Sequence, residues 1–193
     1  MEVDKGRIKV KGWIEKEKKY RLTKAQYDEI LKTLQSLQAS FISEDFELNK
    51  LYTNEHLLMQ KAILRLREKN DGKAVLTYKQ RIQNETGVKE HVEYESEVSN
   101  PEAIERILES VGFSLKLVYE KRRKAWKIRG AEVCLDELPF GFFMEIEGSI
   151  SSIIEVEAIL GAENYEVEHE TYPNLTARFG KKNNGTIEAR FEK

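Results

Sequence analysis

Three residues near the start of the chain, Glu15, Glu17 and Lys19 in the stretch WIEKEKKYRL, place charge at every second position. On an extended strand that spacing puts all three side chains on one face, whereas on a helix they scatter. The two carboxylates then lie roughly 6.6 Å apart along the strand. They repel by about 0.6 kcal/mol in water but by about 2.5 kcal/mol at an effective dielectric of 20. A solvated strand face tolerates such a pair, while an enclosed one requires a cation.

The same alternation recurs along the chain. Arg65 and Arg67 share a face in AILRLRE, opposite Leu64 and Leu66. Glu93, Glu95 and Glu97 align in EYESEV, Lys121 and Arg123 in YEKRRKAW, and Glu145 and Glu147 in FMEIEG, opposite Met144 and Ile146. Lys79 is in register with Val75 and Thr77. Hard divalent cations such as Mg²⁺ or Mn²⁺ take carboxylate oxygens, and the pairs Glu15/Glu17 and Glu145/Glu147 supply them. Lysine and arginine take phosphate oxygens, arginine in a bidentate fork. Together they describe a site for a metal-bound polyphosphate, where catalysis is positioning plus electrostatic stabilisation.

The apolar faces behind these charges need cover. LTKAQYDEILKTLQSLQ has Thr23 as an N-cap and Ile30, Leu31, Leu34 and Leu37 at helical spacing. SNPEAIERILESVGF carries a cap, a proline and Ile104, Ile107, Leu108 and Val111 on one face; SISSIIEVEAILGA ends at Gly161. These are three amphipathic helices. The strands AILRLRE, KAVLTYKQR and KEHVEYESEV are separated by the turn signals KNDGK and NETGV and read as an antiparallel meander. KLVYEKRRKAWKI, EVCLDELP and FFMEIEG give three more strands. If the strands close into a barrel, their charges line its lumen. KKNNGTIEARFEK reads as a hairpin or a frayed end.

The chain has 193 residues, 40% hydrophobic and 34% charged, which fits one domain over 1–193 with its own core. Its 32 basic and 34 acidic residues leave a formal charge of −2. That balance argues against a general electrostatic grip on nucleic acid or on an anionic membrane. No signal peptide or membrane-length apolar run occurs, so the expectation is a soluble, cytoplasmic protein. Cys134 is the sole cysteine, which excludes an internal disulfide, and it reads as a core residue of its strand. The sequons at Asn84, Asn174 and Asn184 are then expected to carry no glycan. His56, His91 and His169 show no metal-ligand spacing, and GKKNNG lacks the order of a phosphate loop. In KRRKAWK, alternation separates Lys121 and Arg123 from Arg122, Lys124 and Trp126, which weakens a nucleic-acid patch.

This ordered set resembles the CYTH proteins, or triphosphate tunnel metalloenzymes, a family named for class IV adenylate cyclases and thiamine triphosphatases. The likeness spans roughly 14–175. EKEKK resembles the family's opening E-x-E-x-K, which gives Glu15, Glu17 and Lys19 catalytic roles in holding metal and phosphate. LRLR and LTYK resemble its basic strands, which implies that Arg65, Arg67 and Lys79 bind the triphosphate. EKRRKAW resembles the K-x-R strand, adding Lys121 and Arg123. LDELPFGFFMEIEG resembles the metal-binding segment, adding Asp136, Glu145 and Glu147 to the ligands Glu15 and Glu17.

The resemblance implies an α+β fold, a closed antiparallel barrel of eight strands with helices packed outside. It also implies an Mg²⁺- or Mn²⁺-dependent triphosphatase acting on tripolyphosphate, thiamine triphosphate or a nucleoside triphosphate. The alternatives are an adenylate cyclase making cyclic AMP and pyrophosphate, and a non-catalytic polyphosphate or RNA binding module. The expected partner is a small triphosphate, with neither membrane nor nucleic acid, and the sequence fixes no oligomeric state. Two departures stand out. LYTN (Tyr52, Thr53, Asn54) occupies the place of the family's aromatic-Asp-Thr, and His91 that of an arginine.

Overall fold

The computed structural model describes residues 14–82 and 89–192. Trp13, the NETGV turn and its Asn84 sequon lie outside the described residues. Strand β1 (Ile14–Leu22) leads into α1 (Lys24–Ser36), whose start is fixed by a capping box: Thr23 accepts from the Gln26 backbone and the Gln26 side chain accepts from the Thr23 backbone. Next come β2 (Ser40–Thr53), α2 (Glu55–Met59) and the meander β3 (Ala62–Lys69), β4 (Ala74–Ile82) and β5 (Lys89–Val98). Helix α3 (Pro101–Ser110) starts on the Asn100 cap with proline in its first turn.

Strands β6 (Ser114–Ile128), β7 (Ala131–Leu138) and β8 (Gly141–Glu147) form two further hairpins. Arg129 and Gly130 between β6 and β7 both have positive φ, 50° and 75°, the two-residue turn whose twist matches flanking strands. Helix α4 (Ile150–Ile159), β9 (Glu166–Val167), α5 (Tyr172–Phe179), β10 (Lys181–Asn183) and β11 (Thr186–Ala189) complete the chain.

Eight strands pair antiparallel around a ring, β6-β2-β3-β4-β5-β1-β8-β7, and β7 returns to β6. The sheet is therefore a closed barrel. Closure pairs both edges of each ring strand and leaves each with one inward and one outward face. The outward faces are apolar where helices cover them. Met144, Ile146, Val133 and Leu135 pack with Ile30 and Leu34 of α1 and with Ile153 and Val156 of α4. Leu66 and Tyr52 pack with Leu108 of α3. Fully burying one such aliphatic side chain is worth about 1.5–3 kcal/mol.

Several expectations are revised. There are five described helices rather than three: α2 is too short to show a period, and α5 starts in TYPNL, where no apolar repeat is visible. Ile107 and Val111 are exposed, so α3 buries a narrower stripe than its four apolar positions suggest. Leu37, at the C-cap of α1, is also exposed. The carboxyl-terminal segment is a hairpin, β10 with β11, and β11 adds parallel to β6 at Leu117–Tyr119. Trp126 is buried in the α1/α4 core, which removes it as a stacking platform.

Candidate active site

The barrel lumen holds a cavity of about 880 Å³. β1 contributes Glu15, Glu17 and Lys19 to its wall, and β8 contributes Glu145 and Glu147. Across the lumen stand Arg65 and Arg67 from β3, Lys79 from β4, and Lys121 and Arg123 from β6. His91, Glu93 and Glu95 come from β5. One end of the lumen gives way to an apolar cluster of Leu51, Tyr119, Leu138, Phe143, Tyr172 and Leu175.

Every basic group in this set is held by carboxylates. Lys79 Nζ lies 2.8 Å from Glu15 and 2.9 Å from Glu93. Lys19 Nζ lies 3.0 Å from Glu145. Arg65 meets Glu93 at 3.3 Å, and Arg67 meets Glu95 at 3.3 Å. Lys121 reaches Glu47 at 3.3 Å and Asp136 at 3.5 Å. Arg123 grips Asp136 in a bidentate fork, with Nε at 2.7 Å and Nη2 at 2.6 Å, and also contacts Glu145.

The carboxylates divide into two kinds. Burial pushes the Glu145 carboxyl up, but Lys19, Arg123 and Lys121 outweigh it and hold the group well below its usual range. Glu147, two residues on, goes the other way. Burial and then the charge of Glu15 push it well above the usual range, and Arg123 offsets this only in part. Among the described residues no cation pairs with Glu147. Oxygens of Glu17, Glu145 and Glu147 nevertheless lie within 4.8 Å of one another. Three hard oxygen donors crowded around an excess of negative charge fit a divalent cation better than they fit one another.

A closed ring of alternating strands, charged inside and apolar outside, agrees with what the chain matches. The CYTH domain family matches residues 14–176. The chain belongs to the CYTH family. A solved protein from Pyrococcus horikoshii is 26% identical, with a TM-score of 0.73 over 83% of this chain and 98% of its own. A conserved Pyrococcus furiosus protein is 24% identical, with a TM-score of 0.73 over 83% and 99%. A candidate adenylyl cyclase from Hippeastrum, with a dominant triphosphatase activity, is 18% identical, with a TM-score of 0.67 over 86% and 95%. No curated protein matches the sequence significantly.

Within this CYTH tunnel the four paired carboxylates of β1 and β8 lie on adjacent strands, since Glu17 is in register with Glu147 and Lys19 with Glu145. Asp136 sits elsewhere. It is fully buried, taken up by Arg123, Lys121 and the Tyr172 hydroxyl, and lies outside both of the described carboxylate groupings able to hold a metal. Cys134 is buried as expected but belongs to the inward face of β7, with Glu132 and Asp136; its thiol lies 3.6 Å from Glu132, and Val133 and Leu135 take the core side.

Three residues of the CYTH site carry no assignment from the sequence. Glu47 is fully buried beside Lys121 and lies 3.9 Å from Arg67; those two cations and Arg123 hold its carboxyl far below its usual range against the burial that raises it. The alternation Asp45, Glu47, Asn49 in SEDFELNKL carried that signal. His91 is paired in register with Glu15, and its ring joins Glu15 and Glu17 in a second potential metal grouping. Only strand pairing reveals it, since sequence spacing gives no ligand motif. Tyr172 enters from α5, and nothing in its local sequence marks it.

Proposed function

We propose that this CYTH protein is a divalent-metal-dependent hydrolase of small molecules that carry a triphosphate. One observation carries the reading: a single closed lumen sets the crowded carboxylates Glu17, Glu145 and Glu147 opposite Arg65, Arg67, Lys79, Lys121 and Arg123. Glu17, Glu145 and Glu147, with Glu15 beside them, would hold Mg²⁺ or Mn²⁺. When bound, the cation supplies positive charge to phosphoryl oxygens as a Lewis acid.

The remaining work belongs to the chain. Arg65, Arg67 and Arg123 bind phosphate oxygens through guanidinium forks, and Lys19, Lys79 and Lys121 add compact charges. Glu93 orients Lys79 and Arg65, while Asp136 orients Arg123 and Lys121. The barrel wall excludes bulk water, so these charges act at a lower effective dielectric than on a surface. Hydrolysis breaks the bond between the terminal phosphorus and the bridging oxygen and joins a water oxygen to that phosphorus, giving orthophosphate and a diphosphate-terminated remainder that keeps the bridging oxygen, with the water's proton released.

Cyclisation of ATP could use the same clamp, but it also requires adenine and ribose to be held rigidly. The cavity is lined by the apolar Leu58, Ile63 and Pro173 together with the polar Lys61, Thr171 and Asn174. Hydrolysis of tripolyphosphate or thiamine triphosphate makes no demand for a rigidly held nucleoside and is the simpler use of the clamp. Phosphorus NMR of an ATP reaction beside a tripolyphosphate reaction, each with Mg²⁺ or Mn²⁺, tests the proposal. Orthophosphate release from either supports it. Pyrophosphate with cyclic AMP would replace it by a cyclase, and tight binding without product by a binding module.

A further inference from the structure

The clamp's two most buried ammonium groups share a neighbour that is neither an acid nor a base at neutral pH. Lys19 Nζ lies 3.7 Å from the centroid of the Tyr172 ring, and Lys121 Nζ lies 5.2 Å from it. Both lysine side chains are almost fully buried. Two like charges brought to one place out of water repel, and their close carboxylates are Glu145 for Lys19 and Glu47 and Asp136 for Lys121. The face of an aromatic ring carries negative potential and attracts a desolvated ammonium without competing for a proton. The Tyr172 hydroxyl meanwhile donates to Asp136 Oδ2 at 2.7 Å, on the carboxylate that holds Arg123.

We infer that Tyr172 is a positioning residue of the triphosphate clamp: its ring seats the ammonium groups of Lys19 and Lys121, and its hydroxyl fixes Asp136 and through it Arg123. The inference rests on the proposed function for its account of what those cations bind. The seat is rigid. Tyr172 opens α5 beside Pro173, behind a Thr171 cap that accepts from the Asn174 backbone. Its ring meets Phe143 edge-on at 5.4 Å, and Leu175 of the same helix is fully buried. Ring and hydroxyl thus have separate tasks, which separate substitutions can remove.

The test compares Tyr172→Phe with Tyr172→Leu in the full chain, using tripolyphosphate with Mg²⁺ as the probe. Loss of two desolvated cation–π contacts is expected to raise KM about tenfold to a hundredfold in Tyr172→Leu. Tyr172→Phe keeps the ring and should restore KM to within about threefold, with the remaining loss in kcat as Arg123 loosens. Independently of turnover, NMR of ¹³C-lysine-labelled protein, with Lys19 assigned through Lys19→Arg, should show its Cε shifted upfield by the ring. That shift should persist in Tyr172→Phe and vanish in Tyr172→Leu.

If Tyr172→Leu keeps the wild-type KM and only lowers Tm, the residue is a plug and the inference fails. An unshifted Lys19 in the wild type would overturn it even if the enzyme turns over. A wild type that ignores every triphosphate but shows the Lys19 shift would retain the seat and sink the proposed function instead. Should the leucine variant fail to fold, Tyr172→Met offers a side chain without a ring for the same comparison.

Discussion

Replacing Glu147 by glutamine should make the metal-free protein more stable and the metal-loaded protein less so. In the lumen the oxygens of Glu17, Glu145 and Glu147 lie within 4.8 Å of one another. Two full charges at that distance repel by about 3.5 kcal/mol at an effective dielectric of 20. Glu145 is largely compensated by Lys19 and Arg123, so the uncompensated share falls on Glu147. Burial and the charge of Glu15 favour the neutral form of Glu147, which offsets part of it. The expected gain for Glu147→Gln at neutral pH is therefore about 1–2 kcal/mol, or about 2–8 °C in Tm for a chain of this size.

The sign follows from linkage. Burial and neighbouring charge raise the folded carboxyl above its unfolded pKa, so the penalty is absent at low pH and grows as pH rises towards the folded value. The two proteins should therefore converge as pH falls to about 4, near the unperturbed glutamate pKa. With Mg²⁺ or Mn²⁺ at a hundredfold excess over Kd, the wild type gains about 2.7 kcal/mol, and the variant less than half of that. Calorimetric melts in EDTA and in metal read both effects, with Glu102→Gln on the exposed side of α3 as the control. A variant that melts lower in EDTA and keeps the full metal shift would show that Glu147 is an ordinary solvated wall residue.

Arg123→Lys should lower kcat/KM for tripolyphosphate at least about tenfold while the barrel still folds, because lysine cannot reproduce the bidentate grip on Asp136 and the contact with Glu145; unchanged steady-state kinetics would contradict the role. Glu47→Ala should cost about 3 kcal/mol in urea unfolding, at the low end for a broken buried ion pair because Lys121 keeps Asp136 at 3.5 Å; a neutral effect would mean that Lys121 is solvated. Glu168→Gln should cost about 1–2 kcal/mol at pH 7, since Glu168 accepts from Arg21 at 2.9 and 3.1 Å and from the Glu170 backbone at 2.8 Å. Burial raises the Glu168 carboxyl, but these bonds together hold it below its usual range, so its contribution is present above the unfolded pKa and is lost as pH falls through the lowered one. Urea midpoints at pH 7 and pH 3 check this, and a gap that widens on acidification would refute it.

Much of the tunnel was legible because a strand writes its inner face into every second residue. Closure sends that face inward on all eight strands, so Glu15, Glu17, Arg65, Arg67, Lys79, Arg123, Glu145 and Glu147 line the lumen as alternation requires. Cys134 shows where residue type misleads: its polarity suggested the core side, but its parity with Glu132 and Asp136 put it inside. Glu47 obeys the same parity, but Glu44 and Lys50 of its strand carry charge on the opposite parity and blur the alternation. His91 and Tyr172 are different in kind. The first becomes a neighbour of Glu15 through strand register, and the second through the docking of a short helix, and neither relation has a period in sequence.

The ion pairs also explain how such a lumen can fold at all. Six cations buried together would be prohibitive, yet each is met by a carboxylate: Lys79 by Glu15 and Glu93, Lys19 by Glu145, Arg65 by Glu93, Arg67 by Glu95, Lys121 by Glu47, and Arg123 by Asp136. The chain's near-neutral formal charge of −2 has its local counterpart in this matched wall. Matching carries a consequence for ligand entry under the proposed function. A bare triphosphate would have to displace carboxylates from the cations it needs and then lie beside the displaced charges. Residues Glu17, Glu145 and Glu147 would hold a divalent cation that eases the conflict at Lys19 and Arg123, because Glu145, which contacts both, would then serve the substrate's counterion. Carboxylates and basic groups therefore have to share one enclosed lumen, and eight alternating strands closed on themselves achieve that arrangement with one face of each strand.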